Sequence, residues 1–174
     1  MIEVAQDFWL EAESAKVIVC TINTQRRKDG TLVMGAGIAK EFAEHFNWLP
    51  DCWGSRTAHL NEQRTYPFFE MREPWNSDPH IIGIHTKLHW RDRSPFNLVE
   101  RSIKQLFILV ESLNLHAIVM TRPGCGHGGL HWEKQVRPLC ESVLDDRFTI
   151  VHQAQPFMTP ESVTMVGSNK AWAR

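Results

Sequence analysis

Two glycine-rich turns constrain the fold of this chain most, because each separates a hydrophobic run from an amphipathic helical pattern. MGAG at residues 34–37 comes after the β-branched run VIVCTI at residues 17–22, and PGCGHGG at residues 123–129 follows residues 117–121. Glycine lets the backbone approach a ligand closely, and free N–H groups at a helix start point at an anion. Two such loops at one sheet edge would clamp a diphosphate. The sequence therefore predicts a nucleotide diphosphate site, although each loop alone is equally typical of a tight turn.

Hydrophobic strands and amphipathic helices alternate along the chain. Besides residues 17–22, we predict strands at residues 66–71, 80–86, 117–121 and 148–152. Helices are predicted at residues 38–46, from Ser94 as N-cap and Pro95 as first helical residue to Leu113, and over residues 131–145. Trp48 and Trp53 are expected in the core. The alternation predicts one α/β domain over residues 1–174, with a mixed, largely parallel sheet covered on both faces. Residues 153–174 fit either a short helix or a loose tail.

Charge and composition exclude several classes of protein. Lys and Arg total 19 and Asp and Glu total 20, so the formal net charge of -1 argues against a broad footprint for long polyanions. No apolar run approaches the ~20 residues that a membrane span needs, so we expect a cytoplasmic protein. We also expect a monomer. The four cysteines show no CxxC spacing, so reduced thiols are expected and no metal site is predicted.

Named catalytic and nucleotide-binding motifs do not fit either glycine loop. The chain lacks the GxxxxGK[ST] of a P-loop, the first loop lacks the third glycine of a dinucleotide fingerprint, and the second lacks the serine of a nucleophile elbow. Cys125 and His127 lie two residues apart with no orienting acid apparent. Catalysis by Cys125 is therefore not favoured.

The motifs as a set resemble the macrodomain family. They are Asn23-Thr24, MGAGIA at residues 34–39, TKLHWR at residues 86–91 and GCGHGGLHW at residues 124–132. TKLHWR is most similar to the DarG-type branch, whose macrodomains remove ADP-ribose from thymidine in DNA, and the resemblance runs over residues 1–152. It implies a three-layer α/β/α fold with an ADP-ribose cleft at one end of the sheet and no cofactor.

The resemblance also implies roles for individual residues. Asp7 would accept from the adenine amino group, Phe8 would lie near the base, Asn23 would face the distal ribose, and Lys87 would act with Asn23 at the reacting centre. The remaining ADP-ribose contacts that it implies are Gly35, Ala36, Gly37, Ile38, Ala39, Thr86, Gly124, Cys125, Gly126, His127, Gly128 and Gly129.

Lys87 directly follows a predicted core strand, which packing alone does not explain. At ~6 Å from a diphosphate and an effective dielectric constant of ~20, attraction is ~3 kcal/mol per unit charge, which raises the lysine pKa in the bound state. We therefore expect Lys87 to act as an acid or as a cation that stabilises a departing thymine N3. The alternatives are an unprotonated base or Schiff-base nucleophile, or a solvated lysine without a catalytic role. For Asn23, the alternative is a turn cap.

Two departures from the family pattern affect the entrance to the cleft. The stretch from Asn23 to Met34 is longer than usual and basic, and Arg122 with Pro123 replaces an apolar pair. We predict that basic residues form a rim around the cleft that contacts nucleic acid, and the alternative is a charged, solvated loop. Trp90 is expected either to stack on an exposed base or to lie in the core. The rim residues are Arg26, Arg27, Lys28, Trp90 and Arg91, with Arg93 and Arg122 as further candidates.

Three functions remain open at this point. The first is a hydrolase that removes ADP-ribose from nucleic acid, of the thymidine type in DNA, with local single-stranded DNA contacts and a toxin partner. The second is an ADP-ribose 1″-phosphate phosphatase. The third is a non-catalytic ADP-ribose reader, which would have no use for Lys87 at the scissile bond.

Overall fold

The computed structural model describes residues 1–61, 64–70 and 79–152, and six strands form its central sheet. The strands are β1 (Ile2–Ala5), β2 (Val17–Ile22), β3 (Phe68–Glu70), β4 (His80–His85), β5 (Ile118–Thr121) and β6 (Phe148–His152). Their order across the sheet is β1-β6-β5-β2-β4-β3. All neighbouring pairs are parallel except β3 with β4, so the sheet is mixed and largely parallel as predicted.

Five α-helices accompany the sheet in the described residues. They are α1 (Phe8–Ala12), α2 (Gly37–His45), α3 (Leu49–Arg56), α4 (Phe96–Ser112) and α5 (Arg137–Val143). A 3-10 turn at Thr57–His59 follows α3, and a π-helical turn at Trp132–Val136 leads into α5. None of the described helices combines the length and the apolar character needed to cross a membrane.

The central strands β2 and β4 are buried on both faces. Their sequences, VIVCTI and HIIGIH, are rich in β-branched residues, which suit a parallel strand covered from both sides. One face of the sheet packs against α4, α5 and the π-helical turn, and the other packs against α1, α2 and α3. The predicted three-layer α/β/α arrangement is therefore confirmed.

The sheet brings the chemistry-bearing residues to one edge. In a parallel sheet the carboxyl ends of the strands lie together, and ligands bind in the crevice outside them. Asp7 comes after β1, Asn23 after β2, Lys87 after β4 and the second glycine loop after β5. Since these four strands run in the same direction, their following segments share that edge.

Several sequence predictions differ from the structure in the core and at helix ends. Trp53 is fully buried, but Trp48 is 37% exposed at the start of α3, so its predicted core position is wrong. Pro95, not Ser94, is the N-cap of α4. Leu113 is 44% exposed because it is the C-cap, beyond the apolar stripe of the helix.

The predicted helix over residues 131–145 is interrupted. A π-helical turn occupies its first part, and α5 begins only at Arg137, where Pro138 fits the first turn. β3 is shorter than the predicted strand, whose last residue, Met71, lies outside the described residues. Residues 153–174 also lie outside them, so their assignment stays a prediction.

Candidate functional site

The two glycine loops meet across the sheet edge. A Cβ built on Gly37, where α2 begins, would lie 3.3 Å from Cδ2 of the His127 imidazole in the second loop. Gly37 has a φ of +54°, which favours glycine because other residues meet steric strain there. The convergence expected from the sequence is therefore present, and the His127 ring spans the gap between the loops.

Both loops present backbone N–H groups without partners. Within the described residues, the N–H groups of residues 35–37 and of residues 126–128 donate no hydrogen bond. Residues 35–37 lead directly into α2, whose N-terminal end carries a partial positive charge. An anion placed between the loops would accept from both sets of N–H groups, as a diphosphate requires.

Packing divides the glycines of the loops into two kinds. A Cβ on Gly128 would lie 2.2 Å from the Gly124 carbonyl oxygen and 2.3 Å from the Ser94 hydroxyl, so Gly128 packs tightly against its surroundings. By contrast, a Cβ on Gly35 or Gly126 would meet no atom within 4 Å. Gly35 and Gly126 therefore border open space.

Lys87 lies against the second glycine loop. Its Nζ donates to the His127 carbonyl oxygen at 2.5 Å and to the Trp90 carbonyl oxygen at 3.5 Å. Burial lowers the pKa of Lys87 in the ligand-free chain, and the charge of Asp92 partly opposes this shift. A bound diphosphate would act in the opposite direction to burial, because its negative charge favours the ammonium form.

Asn23 is largely occupied by structural hydrogen bonds. Its Nδ2 donates to the Val33 carbonyl oxygen at 2.8 Å, and its Oδ1 accepts from the Gln25 backbone N–H at 2.8 Å. The side chain is 8% exposed, and it closes the segment that follows β2. The turn-cap interpretation describes these contacts, while the catalytic role of Asn23 stays a prediction.

Asp7 and Phe8 lie at the start of α1, next to the end of β6. The Asp7 Oδ1 accepts from the backbone N–H groups of Trp9 and Leu10, which caps the helix. Its Oδ2 makes no hydrogen bond within the described part of the chain, so this oxygen is open to an amino group. Phe8 is buried and packs on Phe42, with 5.6 Å between the ring centroids. Both adenine contacts stay predictions.

Cys125 is partly buried and Thr86 is buried, and the ADP-ribose contacts expected of both stay predictions. Burial raises the pKa of the Cys125 thiol to about 11, with Arg122 partly opposing the shift, so the thiol is protonated at neutral pH. This protonation argues against a nucleophilic cysteine, because the thiolate is the reactive form. Thr86 is buried, and its N–H donates to the Ile22 carbonyl oxygen at 2.9 Å.

The aromatic and basic residues after Lys87 are accessible. Trp90 is 47% exposed, and the Arg91 guanidinium lies 4.6 Å from its ring centroid. This exposure excludes the core position considered for Trp90. Arg93 reaches the Gly129 carbonyl oxygen at 3.3 Å. Arg122, however, pairs with Glu3 at 2.5 Å, so its charge is not available to the rim.

Two features beside the site were not anticipated from the sequence: a contact between Thr24 and Leu88, and a hairpin in the basic stretch after Asn23. Both the N–H and the hydroxyl of Thr24 donate to the Leu88 carbonyl oxygen, at 3.1 and 2.8 Å. The basic stretch after Asn23 folds into a hairpin whose turn contains Asp29 and Gly30. The Asp-Gly pair is a recognised hairpin signal and could have revealed this element. The Thr24 contact joins residues 64 positions apart and has no local signal.

Sequence comparison finds relatives that are longer than this chain, and no protein-family model matches. The chain is 26% identical over 151 residues to the DNA ADP-ribosyl glycohydrolase of Thermus aquaticus, covering 87% of this chain and 40% of that protein. It is 28% identical over 102 residues to the protein of the same name from Mycobacterium tuberculosis, covering 58% of this chain and 29% of that protein. The chain thus spans less than half the length of these curated relatives.

Solved structures show the same fold. The macrodomain of Thermus aquaticus DarG is 25% identical with a TM-score of 0.69, and the match covers 88% of this chain and 97% of that one. The macrodomain of Mycobacterium tuberculosis DarG is 22% identical with the same TM-score of 0.69 and the same coverages. Thermosipho africanus DarTG in complex with ADP-ribose is 20% identical with a TM-score of 0.68, and covers 83% of this chain and 39% of that one.

Proposed function

We propose that this chain, which has the fold of the DarG macrodomains and sequence similarity to DNA ADP-ribosyl glycohydrolases, removes ADP-ribose from thymidine-type positions in DNA. One observation carries the proposal. Lys87, at the end of β4, touches the second glycine loop, which itself meets the first loop at Gly37. A diphosphate held by the loops would therefore lie near a lysine ammonium, as hydrolysis at the attached ribose requires.

The reaction needs only water and the residues of the chain. Water supplies a hydroxyl group to the ribose C1″ and a proton to thymine N3, so the C1″–N3 bond breaks and ADP-ribose is released. Negative charge develops on N3 as the bond breaks. The Lys87 ammonium stabilises this charge and protonates N3, and the proton that the water loses on attacking C1″ restores the ammonium, while the loop N–H groups hold the diphosphate.

The similarity to DarG proteins also supports a partner. An enzyme that removes ADP-ribose from DNA has a substrate only where another enzyme attaches it. We therefore expect the chain to counteract an ADP-ribosyltransferase toxin that modifies DNA, in keeping with the similarity to the Thermosipho africanus DarTG structure.

A side-by-side substrate assay tests the proposed function. The chain is incubated with single-stranded DNA ADP-ribosylated on thymidine, with ADP-ribosylated protein and with ADP-ribose 1″-phosphate, and released ADP-ribose is measured by mass spectrometry. Release from DNA is expected. Release from ADP-ribose 1″-phosphate alone would instead support the phosphatase, and tight binding without any turnover would support the reader.

Substitution of Lys87 tests its role directly. We expect Lys87→Met to lower kcat by about 100-fold or more, because general acid catalysis and charge stabilisation are both lost, while the calorimetric affinity for ADP-ribose falls by a smaller factor, because solvent screens the attraction between lysine and diphosphate and the loop N–H groups remain. Lys104→Met is the control, since Lys104 is an exposed residue of α4, and it should behave as the unmodified chain. Equal losses of binding and turnover in Lys87→Met would contradict the assignment.

The pH dependence separates the two protonation states of Lys87. A cationic Lys87 predicts that kcat falls on the alkaline side, as the ammonium loses its proton. A kcat that rises into the alkaline range, with this rise absent in Lys87→Met, would show the free amine acting as a base or as a Schiff-base nucleophile.

A further inference from the structure

The long segment between β2 and α2 is a folded hairpin, here called the basic hairpin and defined as residues 25–33. Backbone N–H groups of Val33 and Arg27 donate to the carbonyl oxygens of Gln25 and Thr31, at 2.9 and 2.8 Å, and Arg26 forms a β-bridge with Leu32. The turn closes through Gly30, whose φ is +90°. The hairpin is therefore a regular element built by its own backbone hydrogen bonds.

The basic hairpin is also anchored to the body of the protein. Leu32 is fully buried, and its N–H donates to the Pro50 carbonyl oxygen in α3 at 2.8 Å. A Cβ on Gly54 of α3 would lie 2.2 Å from the Gly30 carbonyl oxygen, so the hairpin and the helix backbones are in close contact. A segment held this way presents its side chains at defined positions.

The hairpin concentrates positive charge in a chain whose net charge is close to zero. Arg26, Arg27 and Lys28 are exposed, and none forms an ion pair within the described residues. Asp29, the one acidic residue of the hairpin, accepts hydrogen bonds from the N–H and hydroxyl of Thr31, and these hydrogen bonds lower its pKa. Three cations and one carboxylate leave a local charge of +2 on a chain of net charge -1.

An open groove of about 500 Å³ runs between the hairpin and the segment after α3. Residues 24–28 and Gly30 line one side, and Thr57, Ala58 and Leu60 line the other. None of these lining residues is acidic. A polar groove with successive cations along one side suits the repeated phosphates of a nucleic-acid strand better than one compact anion.

The groove connects to the candidate active site through one contact. Thr24, at the base of the hairpin, donates twice to the carbonyl oxygen of Leu88, the residue after Lys87. The accessible Trp90 ring with its Arg91 guanidinium continues the same segment. A strand with its modified nucleotide at Lys87 would thus have the hairpin cations and an aromatic surface close by.

We propose that the basic hairpin and its groove bind the phosphates of single-stranded DNA next to the ADP-ribosylated nucleotide. The identity of the acceptor rests on the proposed function. Thymine N3 is a donor in the Watson–Crick pair, so a thymine with ADP-ribose on N3 cannot pair, and its strand is locally single. The proposed site for the DNA strand, here called the strand site, therefore lies on the basic hairpin, outside the ADP-ribose cleft.

Fluorescence anisotropy with a labelled, unmodified single-stranded DNA of about ten nucleotides tests the proposal, because one site spans roughly this length. The test variant is Arg26→Gln/Arg27→Gln/Lys28→Gln. The control is Lys16→Gln/Lys104→Gln/Lys134→Gln, which removes the same charge from exposed residues elsewhere. Thermal unfolding and calorimetric ADP-ribose affinity, measured for both variants, should match the unmodified chain.

We expect the hairpin variant to bind the oligonucleotide at least about tenfold more weakly than the unmodified chain does. Its plot of log K against log salt concentration should also be shallower by about 2, since each lost phosphate contact contributes about 0.7 to the slope. The control should bind as the unmodified chain does. Equal affinity in the hairpin variant and the unmodified chain, or equal losses in both variants, would overturn the proposal. Tighter binding of an RNA of the same sequence would overturn the assignment to DNA.

The same variants separate this proposal from the proposed function. Hairpin-dependent binding of DNA by a chain that releases no ADP-ribose would contradict the hydrolase and leave the strand site standing. Release of ADP-ribose from DNA with the same KM in the hairpin variant would contradict the strand site and leave the hydrolase standing.

Discussion

At the scale of single residues, Lys87 and His127 act as a connected pair. The carbonyl oxygen of His127 accepts from Lys87, and the ring of the same histidine reaches Gly37 in the opposite loop. A diphosphate that enters between the loops must therefore come close to all three residues. The sequence identified Lys87 and His127 separately, but it could not show this link, because it passes through a backbone carbonyl that every residue possesses.

His85 is the residue whose burial has the clearest consequence for stability. It is 1% exposed at the end of β4, its ring packs edge-on against Phe68 at 5.0 Å, and a backbone hydrogen bond with Tyr66 only partly opposes the effect of burial on its pKa. Burial lowers the pKa of His85 from 6.5 to about 4. The folded chain therefore holds a neutral imidazole at pH values where the unfolded chain is already protonated.

We predict that the free energy of unfolding falls by about 3 kcal/mol between pH 7 and pH 4 because of His85. The folded pKa lies below the unfolded one, so this stability is present above pH 6.5 and is lost as the pH falls to about 4. Urea unfolding of the unmodified chain and of His85→Leu across this range measures the effect. His85→Leu should show the shallower pH dependence, and His116→Gln, at an exposed position, is the control. Parallel curves for His85→Leu and the unmodified chain would contradict the prediction.

At the scale of elements, the second glycine loop contains positions that serve the fold and positions that border the cleft. We predict that Gly128→Ala lowers the free energy of unfolding by about 1 to 3 kcal/mol, since its Cβ would overlap the Gly124 carbonyl. Gly126→Val should unfold at the temperature of the unmodified chain, because the space beside it is open. Its calorimetric affinity for ADP-ribose should nonetheless drop by about tenfold or more, because the new side chain occupies the ligand space.

The Gly126 and Gly128 variants give opposite results only if the loop is packed on one side and open on the other. A Gly126→Val chain that binds ADP-ribose normally would place the ligand elsewhere. Loss of thermal stability in Gly126→Val to the extent seen in Gly128→Ala would show that both glycines are structural.

The elements that the sequence predicted well are those buried on two faces or carrying a full apolar stripe. β2 and β4 are short runs rich in β-branched residues, which favours strands over helices, and α4 carries an apolar stripe at helical spacing along its whole length. β1 and α1 escaped prediction because β1 is a four-residue edge strand containing Glu3, and α1 has only five residues. Their apolar patterns are too short to distinguish from a loop, and they form because β6 and the core support them.

The candidate site was predictable to the extent that it follows the strands. Asn23 comes directly after β2 and Lys87 two residues after β4, and a parallel sheet brings such residues to one edge whatever their side chains do there. Asp7 follows β1, which the sequence pattern did not predict, so its place in the site was implied only by the family resemblance. The hydrogen bond from Asn23 to the Val33 carbonyl, and the Glu3 carboxylate that neutralises Arg122, depend on residues brought together only by folding. Pairings of this kind leave no local pattern.

At the scale of the whole molecule, near-neutrality limits how the chain attracts DNA. A net charge of -1 supplies no long-range attraction, so the proposed binding of a strand would depend on the few cations of the basic hairpin. We predict that affinity for single-stranded DNA rises with length up to about 16 nucleotides and then levels off, apart from the statistical increase in sites. Anisotropy titrations with a length series measure this. A continued steep rise in affinity with length would indicate a broad cationic surface instead.

The close approach of Gly54 to the hairpin has a practical corollary for engineering. The basic hairpin alone, grafted onto a related domain, would not pack, because any side chain at the facing position of the recipient helix would collide with the Gly30 carbonyl. A successful graft has to bring along a glycine in that helix. In this chain, Gly54→Ala would displace the basic hairpin without changing any of its charges.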